Sequence, residues 1–191
     1  SFPTRRSSDL DERQGLTHDY TRKQGVEDAF IVAPDGADWA QDRNALWNAA
    51  EAAENRKDAR VAREFEIALP HELSAEQRLE ATREFAQDLA NRYGAAVDFA
   101  IHAPHDASDV RNHHAHVMMT TRQVGESGLG DKTYLERENK WLLSNDLATT
   151  DMQLRDIRQS WESIANSQLQ REGLDIRIDH RSHQERGLEL S

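Results

Sequence analysis

Two segments of this chain alternate apolar and polar side chains with period two, and a capped helical pattern lies between them. In Arg63-Glu64-Phe65-Glu66-Ile67-Ala68-Leu69, Phe65, Ile67 and Leu69 share one face, and the run stops at Pro70, whose nitrogen carries no proton to give a sheet. In Val97-Asp98-Phe99-Ala100-Ile101-His102 the apolar residues again share one face, and Asp98, Ala100 and His102 share the other. Ser74 and Gln77 have capping-box spacing at the head of a helix carrying Leu79, Phe85 and Leu89, and Gly94 suits its end. Strands with one apolar face need a cover. The expected architecture is α+β: an antiparallel sheet with helices packed on one face and a functional surface on the other.

The other elements are read the same way. Phe30 to Ala33 is a short strand. Asp38 or a neighbour caps a helix through Trp39, Leu46, Trp47 and Ala50 to about Arg60. His113 to Thr121 is a strand, followed by a polar loop through Gly125, Gly128 and Gly130 to Lys132-Thr133-Tyr134. A long helix from about Asp146 to Glu172 carries Met152, Leu154, Ile157, Trp161, Ile164 and Leu169, and Ile176 and Ile178 mark a last short strand. Trp47 and Trp161 sit at helical spacing with aliphatic neighbours, as core residues do.

At 191 residues the chain suits one domain, or slightly more than one. It has no cysteine, so thiolate metal sites, disulfides and a cysteine nucleophile are excluded, and imidazole and carboxylate are the strong ligands available. No apolar run is long enough to cross a bilayer, and a cytoplasmic location is expected. A formal charge of −11 excludes a general basic coat for duplex DNA, so nucleic-acid contact is expected to be local and metal-assisted. Ser1 to Leu10 reads as the translation of a sequencing adapter, and there is no initiating Met. Residues 1–10 are therefore expected to be foreign, and 11–191 to be a fragment truncated at both ends.

Five of the nine histidines fall within fifteen residues, from His102 to His116. On an extended strand His114 and His116 project from the same face, within reach of one divalent ion. If the strands near residues 65, 100 and 117 are neighbours, the face opposite the core displays Glu64, Glu66, His102, His114 and His116. Three neutral imidazoles leave coordination positions open and the cation's charge uncompensated, which suits an anionic ligand such as a phosphodiester. Ligand histidines need acceptors to orient their rings, and Glu64, Glu66 or Asp98 can supply them. Glu66 is favoured because Phe65 and Ile67 fix its face, against the plainer reading of a solvated carboxylate. His105 and His113 read as loop and opposite-face residues. Arg122 and Lys132 stand where a DNA backbone would pass, or are simply solvated.

The segments Asp11-Glu12-Arg13, Gly15-Leu16-Thr17-His18-Asp19-Tyr20-Thr21-Arg22-Lys23, Arg63 to Pro70, His102, and Asn112-His113-His114-Ala115-His116-Val117-Met118 closely resemble MobA/MobL (MobQ-type) conjugative relaxases, including the relaxase part of TraA proteins. The similarity runs from Asp11 to about Leu190 and includes Ile178-Asp179-His180-Arg181-Ser182. The resemblance implies a His-hydrophobe-His endonuclease in which three histidines, here His102, His114 and His116, bind a divalent metal, Mg or Mn. It implies that a tyrosine attacks the scissile phosphate at an origin of transfer, leaving a 5′-phosphotyrosyl link and a free 3′-OH. The implied partners are single-stranded or locally melted origin DNA, relaxosome accessory proteins and a coupling protein. A following helicase or primase domain would rest on family analogy alone.

The chain departs from that pattern at the nucleophile. The family's tyrosine lies in an Ala-Ala-Tyr-Arg-like segment just upstream of the part matching Asp11-Glu12-Arg13, where this chain has its adapter-like residues. The fragment is therefore expected to lack its nucleophile and to be inactive. Tyr20 is the nearest substitute but matches a different position, and Tyr93 and Tyr134 are expected to pack or meet solvent. Two alternatives stay open: a metal-dependent phosphodiester hydrolase that activates water and needs no tyrosine, and a non-catalytic metal-binding domain.

Overall fold

The computed structural model describes residues 26–103, 113–171 and 188–190. In chain order its elements are β1 (Val26–Val32), α1 (Arg43–Ala52), β2 (Ala62–Leu69), α2 (Ala75–Tyr93), β3 (Val97–His102), β4 (His113–Thr120), β5 (Arg122–Val124), β6 (Leu129–Lys132), α3 (Asn139–Ser144), α4 (Thr150–Arg171) and β7 (Leu188–Leu190). Five strands form one sheet in the order β1-β3-β4-β2-β7, every pairing antiparallel. The expected neighbours, β3, β4 and β2, lie side by side. No helix among the described residues is long and apolar enough to cross a membrane.

The alternating residues bury as their spacing requires. Phe65, Ile67, Val97, Phe99, Ile101, Val117 and Met119 form one face, covered by Phe85 and Leu89 of α2 and by Ile157 and Trp161 of α4. Phe85 meets Phe65 and Trp161 edge-on, at centroid distances of 6.3 and 5.7 Å. Each such ring, taken out of water, contributes about 1.5–3 kcal/mol. The α2 cap forms as its spacing predicts: Gln77 N–H donates to the Ser74 hydroxyl, and Ser74 N–H donates to the Gln77 side chain. Gly94 ends the helix at φ +64°, a left-handed conformation that a Cβ disfavours.

Three expectations change. The helix expected from Asp38 to Arg60 is a 3-10 turn, Asp38–Gln41, followed by α1, and Asp42 caps α1 by accepting from the N–H groups of Asn44 and Ala45. Its helix stops at Ala52 because Asn55-Arg56-Lys57-Asp58 offers no apolar face to pack. The expected glycine loop is the β5–β6 hairpin, whose reversal uses Gly128 at φ +147°. The long helix begins at Thr150 and not near Asp146, because Asp146 is left-handed, at φ 57°, and breaks the chain between α3 and α4; Met152 is consequently exposed. The strand expected at Ile176 and Ile178 lies outside the described residues, and β7, three residues long, pairs with β2 where no sequence pattern announced a strand.

The second face of the sheet is only partly open. Leu46, Trp47 and Ala50 of α1 pack on Ala62, Met118 and Val124, covering the end of that face away from the histidines.

Candidate functional site

Strand register decides which side chains meet. His102 pairs with His114 and Ala100 with His116 across β3–β4, while Glu66 pairs with His116 and Glu64 with Met118 across β2–β4. With period-two alternation, His102, His114, His116, Glu64 and Glu66 all lie on the face opposite the aromatic core. This face is not the open surface the alternation suggested. Glu64, Asp98, His102 and His116 are only 2, 4, 6 and 7% exposed.

The rings of His102 and His116 meet edge-on, with centroids 4.6 Å apart. His116 Nδ1 lies 3.0 Å from Glu64 Oε2, and on the other side of the ring Nε2 lies 3.9 Å from Glu66 Oε2. Glu64 is thus within hydrogen-bond distance of the ring, and Glu66 stands beyond it. Glu64, and not the favoured Glu66, is therefore the acceptor that orients His116. Sequence gave both glutamates the same face; the closer approach of Glu64 comes from three-dimensional packing that alternation does not encode.

Asp98, the third carboxylate considered, is committed elsewhere. It accepts from Arg43 Nε at 2.8 Å, Arg43 Nη2 at 2.9 Å and Trp47 Nε1 at 2.8 Å, fastening α1 to β3. Burial of Arg43 opposes its charge, but the bonds to and charge of Asp98 outweigh that and raise its pKa.

His102, His114 and His116 are the imidazole donors of this face, with Glu64 and Glu66 as oxygen donors beside them. This donor set fits a divalent cation. Among the described residues no group of three or more such side chains is arranged to hold an ion as it stands. The contact that is formed is the pair His102–His116, backed by Glu64.

The remaining candidates are dispersed. Arg122 Nε donates to Glu54 at 2.7 Å and Nη1 to the Gly130 carbonyl at 3.2 Å, so a residue expected at DNA instead ties the β5–β6 hairpin down. Lys132, opposite Arg122 in the hairpin, is exposed. His113 pairs with Leu69 on the core side of β4. Tyr93 is buried and donates to Gln153 Oε1 at 2.8 Å, with the Tyr134 ring 4.7 Å away. Burial pushes the Tyr93 hydroxyl pKa well above its usual value, and Tyr134 shifts in the same direction for the same cause. Residues 1–10, Tyr20, His105, His180 and His183 lie outside the described residues.

A family model described as the MobA/MobL family matches residues 5–191. The mobilization protein MobL of Acidithiobacillus ferridurans is 37% identical over 94% of this chain and 52% of its own length. The conjugal transfer protein TraA of Agrobacterium fabrum is 33% identical over 94% of this chain and 18% of its own. The chain thus spans about half the length of the first of these relatives and less than a fifth of the second. Among solved structures, a chain described under the molecular basis of vancomycin resistance transfer in Staphylococcus aureus is 32% identical, with a TM-score of 0.67, over 84% of this chain and 78% of that one. The conjugative relaxase TrwC, solved in a metal-bound complex with oriT DNA, is 10% identical with a TM-score of 0.57, over 100% of this chain and 75% of that one, a likeness of fold.

Proposed function

The chain belongs to the MobA/MobL family, and on that premise we propose that it is the DNA-nicking domain of a conjugative relaxase. Its substrate is single-stranded or locally melted DNA at an origin of transfer. The reaction is a transesterification in which a tyrosine oxygen bonds to the scissile phosphorus as the bond to the 3′ oxygen breaks. The tyrosine gives up its proton and the 3′ oxygen gains one, leaving a 5′-phosphotyrosyl link and a 3′-OH.

What supports this reading is one geometric fact: His102, His114 and His116 share a sheet face, with the rings of His102 and His116 4.6 Å apart. These three histidines would hold a divalent cation, Mg or Mn. When bound, the cation supplies a fixed positive charge against the phosphate oxygens where negative charge grows. Glu64 orients the His116 ring through the contact at Nδ1, and exposed Lys132 is available to a DNA backbone. Tyr93 and Tyr134 do not serve as nucleophile, because they pack with the helices on the other side of the sheet. Tyr20 is the third tyrosine of this chain. Relaxosome accessory proteins, a coupling protein and the cytoplasm complete the proposal.

The test is nicking of a supercoiled plasmid bearing the cognate origin by this domain within its full reading frame. Replacing His114 and His116 together with Ala should reduce nicking to background and remove the SDS-stable protein–DNA adduct, with the far-UV spectrum unchanged. Retained nicking would defeat the assignment. Metal-dependent cleavage by the intact protein without any adduct would replace transesterification by hydrolysis.

A further inference from the structure

The Arg43–Asp98 pair uses only one edge of the guanidinium. Nε and Nη2 donate to the two oxygens of Asp98 at 2.8 and 2.9 Å, and Asp98 Oδ2 also accepts from Trp47 Nε1. A guanidinium carries five N–H donors in one plane, so three remain, two on Nη1 and one on Nη2. Among the described residues Arg43 has no other acceptor. With the side chain 16% exposed and none of its nitrogens buried without a partner, Nη1 reaches the surface.

Strand register puts this edge beside the histidines. Asp98 pairs with Met118, and the next pair on the same face is Ala100 with His116. One such step is about 6.6 Å along the strands, or about two stacked nucleotides. Met118 is packed beneath α1 and His116 lies one pair further on, so Arg43, the first residue of α1, stands where the covered part of the face meets the histidines. Arg63 supplies the contrast. Its Nε and Nη2 hold Glu136 in the same two-bond geometry, at 2.9 and 3.0 Å, but Arg63 pairs with Met119 on the core side of the sheet.

We propose that Arg43, held by Asp98, is a positioning residue whose free edge binds a backbone phosphate of the single strand close to the phosphate at the histidines. This deepens the proposed relaxase reading and rests on it. The planar fork suits two parallel bonds to phosphate oxygens, and Asp98 fixes its plane during folding, so little side-chain freedom is left to lose on binding. Asp98 also cancels most of the long-range attraction. The contact therefore supplies direction: like other phosphate contacts it sets the register of the strand, and with it which phosphate reaches the histidines.

The test is binding, by the intact protein, of single-stranded origin oligonucleotides in which one phosphate at a time is an uncharged methylphosphonate, with plasmid nicking measured in parallel. In the wild type, one substitution within about two nucleotides of the nick should weaken binding about 10-fold. Arg43→Lys, and Arg43→Gln combined with Asp98→Asn so that no charge is left uncompensated, should bind unmodified DNA about 10-fold more weakly. Both should be indifferent to the substitution at that position while staying sensitive to it elsewhere. Arg63→Lys should keep the wild-type profile. Variants that weaken binding at every position alike and keep the wild-type profile would show a structural role only, and overturn the proposal. A wild type that nicks the origin but has no sensitive phosphate near the nick overturns it too, and leaves the relaxase reading standing. A wild type that neither binds nor nicks the origin overturns both.

Discussion

His116 is flanked by two carboxylates, and the one within hydrogen-bond distance is Glu64, at 3.0 Å against 3.9 Å for Glu66. Glu64→Gln should therefore lower the affinity for Mn and Zn alike, by about 10–100-fold, because it loosens the ring and not the ligand set. Metal titration checks this, and a loss confined to Mn would contradict it. The sequence places both glutamates on the correct face but not in order of approach, since flanking apolar residues report a face and say nothing of depth. Tyr93 yields a second expectation at this scale. Burial, aided by Tyr134, holds its pKa above the unfolded value near 10. Above that pH the unfolded chain releases the proton while the folded chain retains it, so stability falls as pH rises through the unfolded pKa and beyond. Chemical denaturation at pH 8 to 11 should show this slope, reduced in Tyr93→Phe. That variant should also lose about 1–3 kcal/mol at neutral pH, because Gln153 Oε1 loses its buried donor, and should leave nicking unaffected.

Elements were legible where a local signal and a packing signal agree. The capping box of α2, its glycine end and the alternation in β2 and β3 each tie a sequence pattern to a buried face, and they form as read. The α1 region was misread because apolar spacing continues across Asp42, while the backbone uses that residue as a cap. The β5–β6 hairpin and β7 are too short for periodicity to register. Besides its three buried apolar residues, Leu46, Trp47 and Ala50, α1 is tied to the sheet by the Arg43–Asp98–Trp47 knot. Asp98→Ala would strand the Arg43 guanidinium, whose side chain is 16% exposed, and leave the Trp47 N–H without its acceptor. The expected cost is about 3–5 kcal/mol by denaturant titration. Leu or Ala at both Arg43 and Asp98 should cost less than Asp98→Ala alone, since neither buried charge is then left uncompensated. If the single and double variants are equally stable, the knot contributes nothing specific.

At the scale of the molecule, charge sets how DNA can be held. The fold class followed from one-sided strands, but the electrostatic consequence needed the structure, because composition counts cations without saying which are committed. Arg43, Arg63, Arg92, Arg122 and Arg171 each lie within 3.1 Å of a carboxylate. The chain's 24 Lys and Arg stand against 35 Asp and Glu, a net charge of −11, so acidic groups outnumber the cations that could neutralise phosphates. Binding should then depend on the metal site far more than on a basic surface. For single-stranded origin DNA the slope of log affinity against log salt is about −0.7 per phosphate neutralised, so two to four contacts predict a slope of about −1.5 to −3. Chelation of the divalent ion should weaken binding at every salt concentration without steepening that slope, because the ion contributes a local charge to one phosphate. Fluorescence anisotropy across a salt series, with and without EDTA, measures both quantities. A slope steeper than about −5 that EDTA leaves untouched would mean that DNA is held by a cationic surface after all, and that the histidine face is not where it docks.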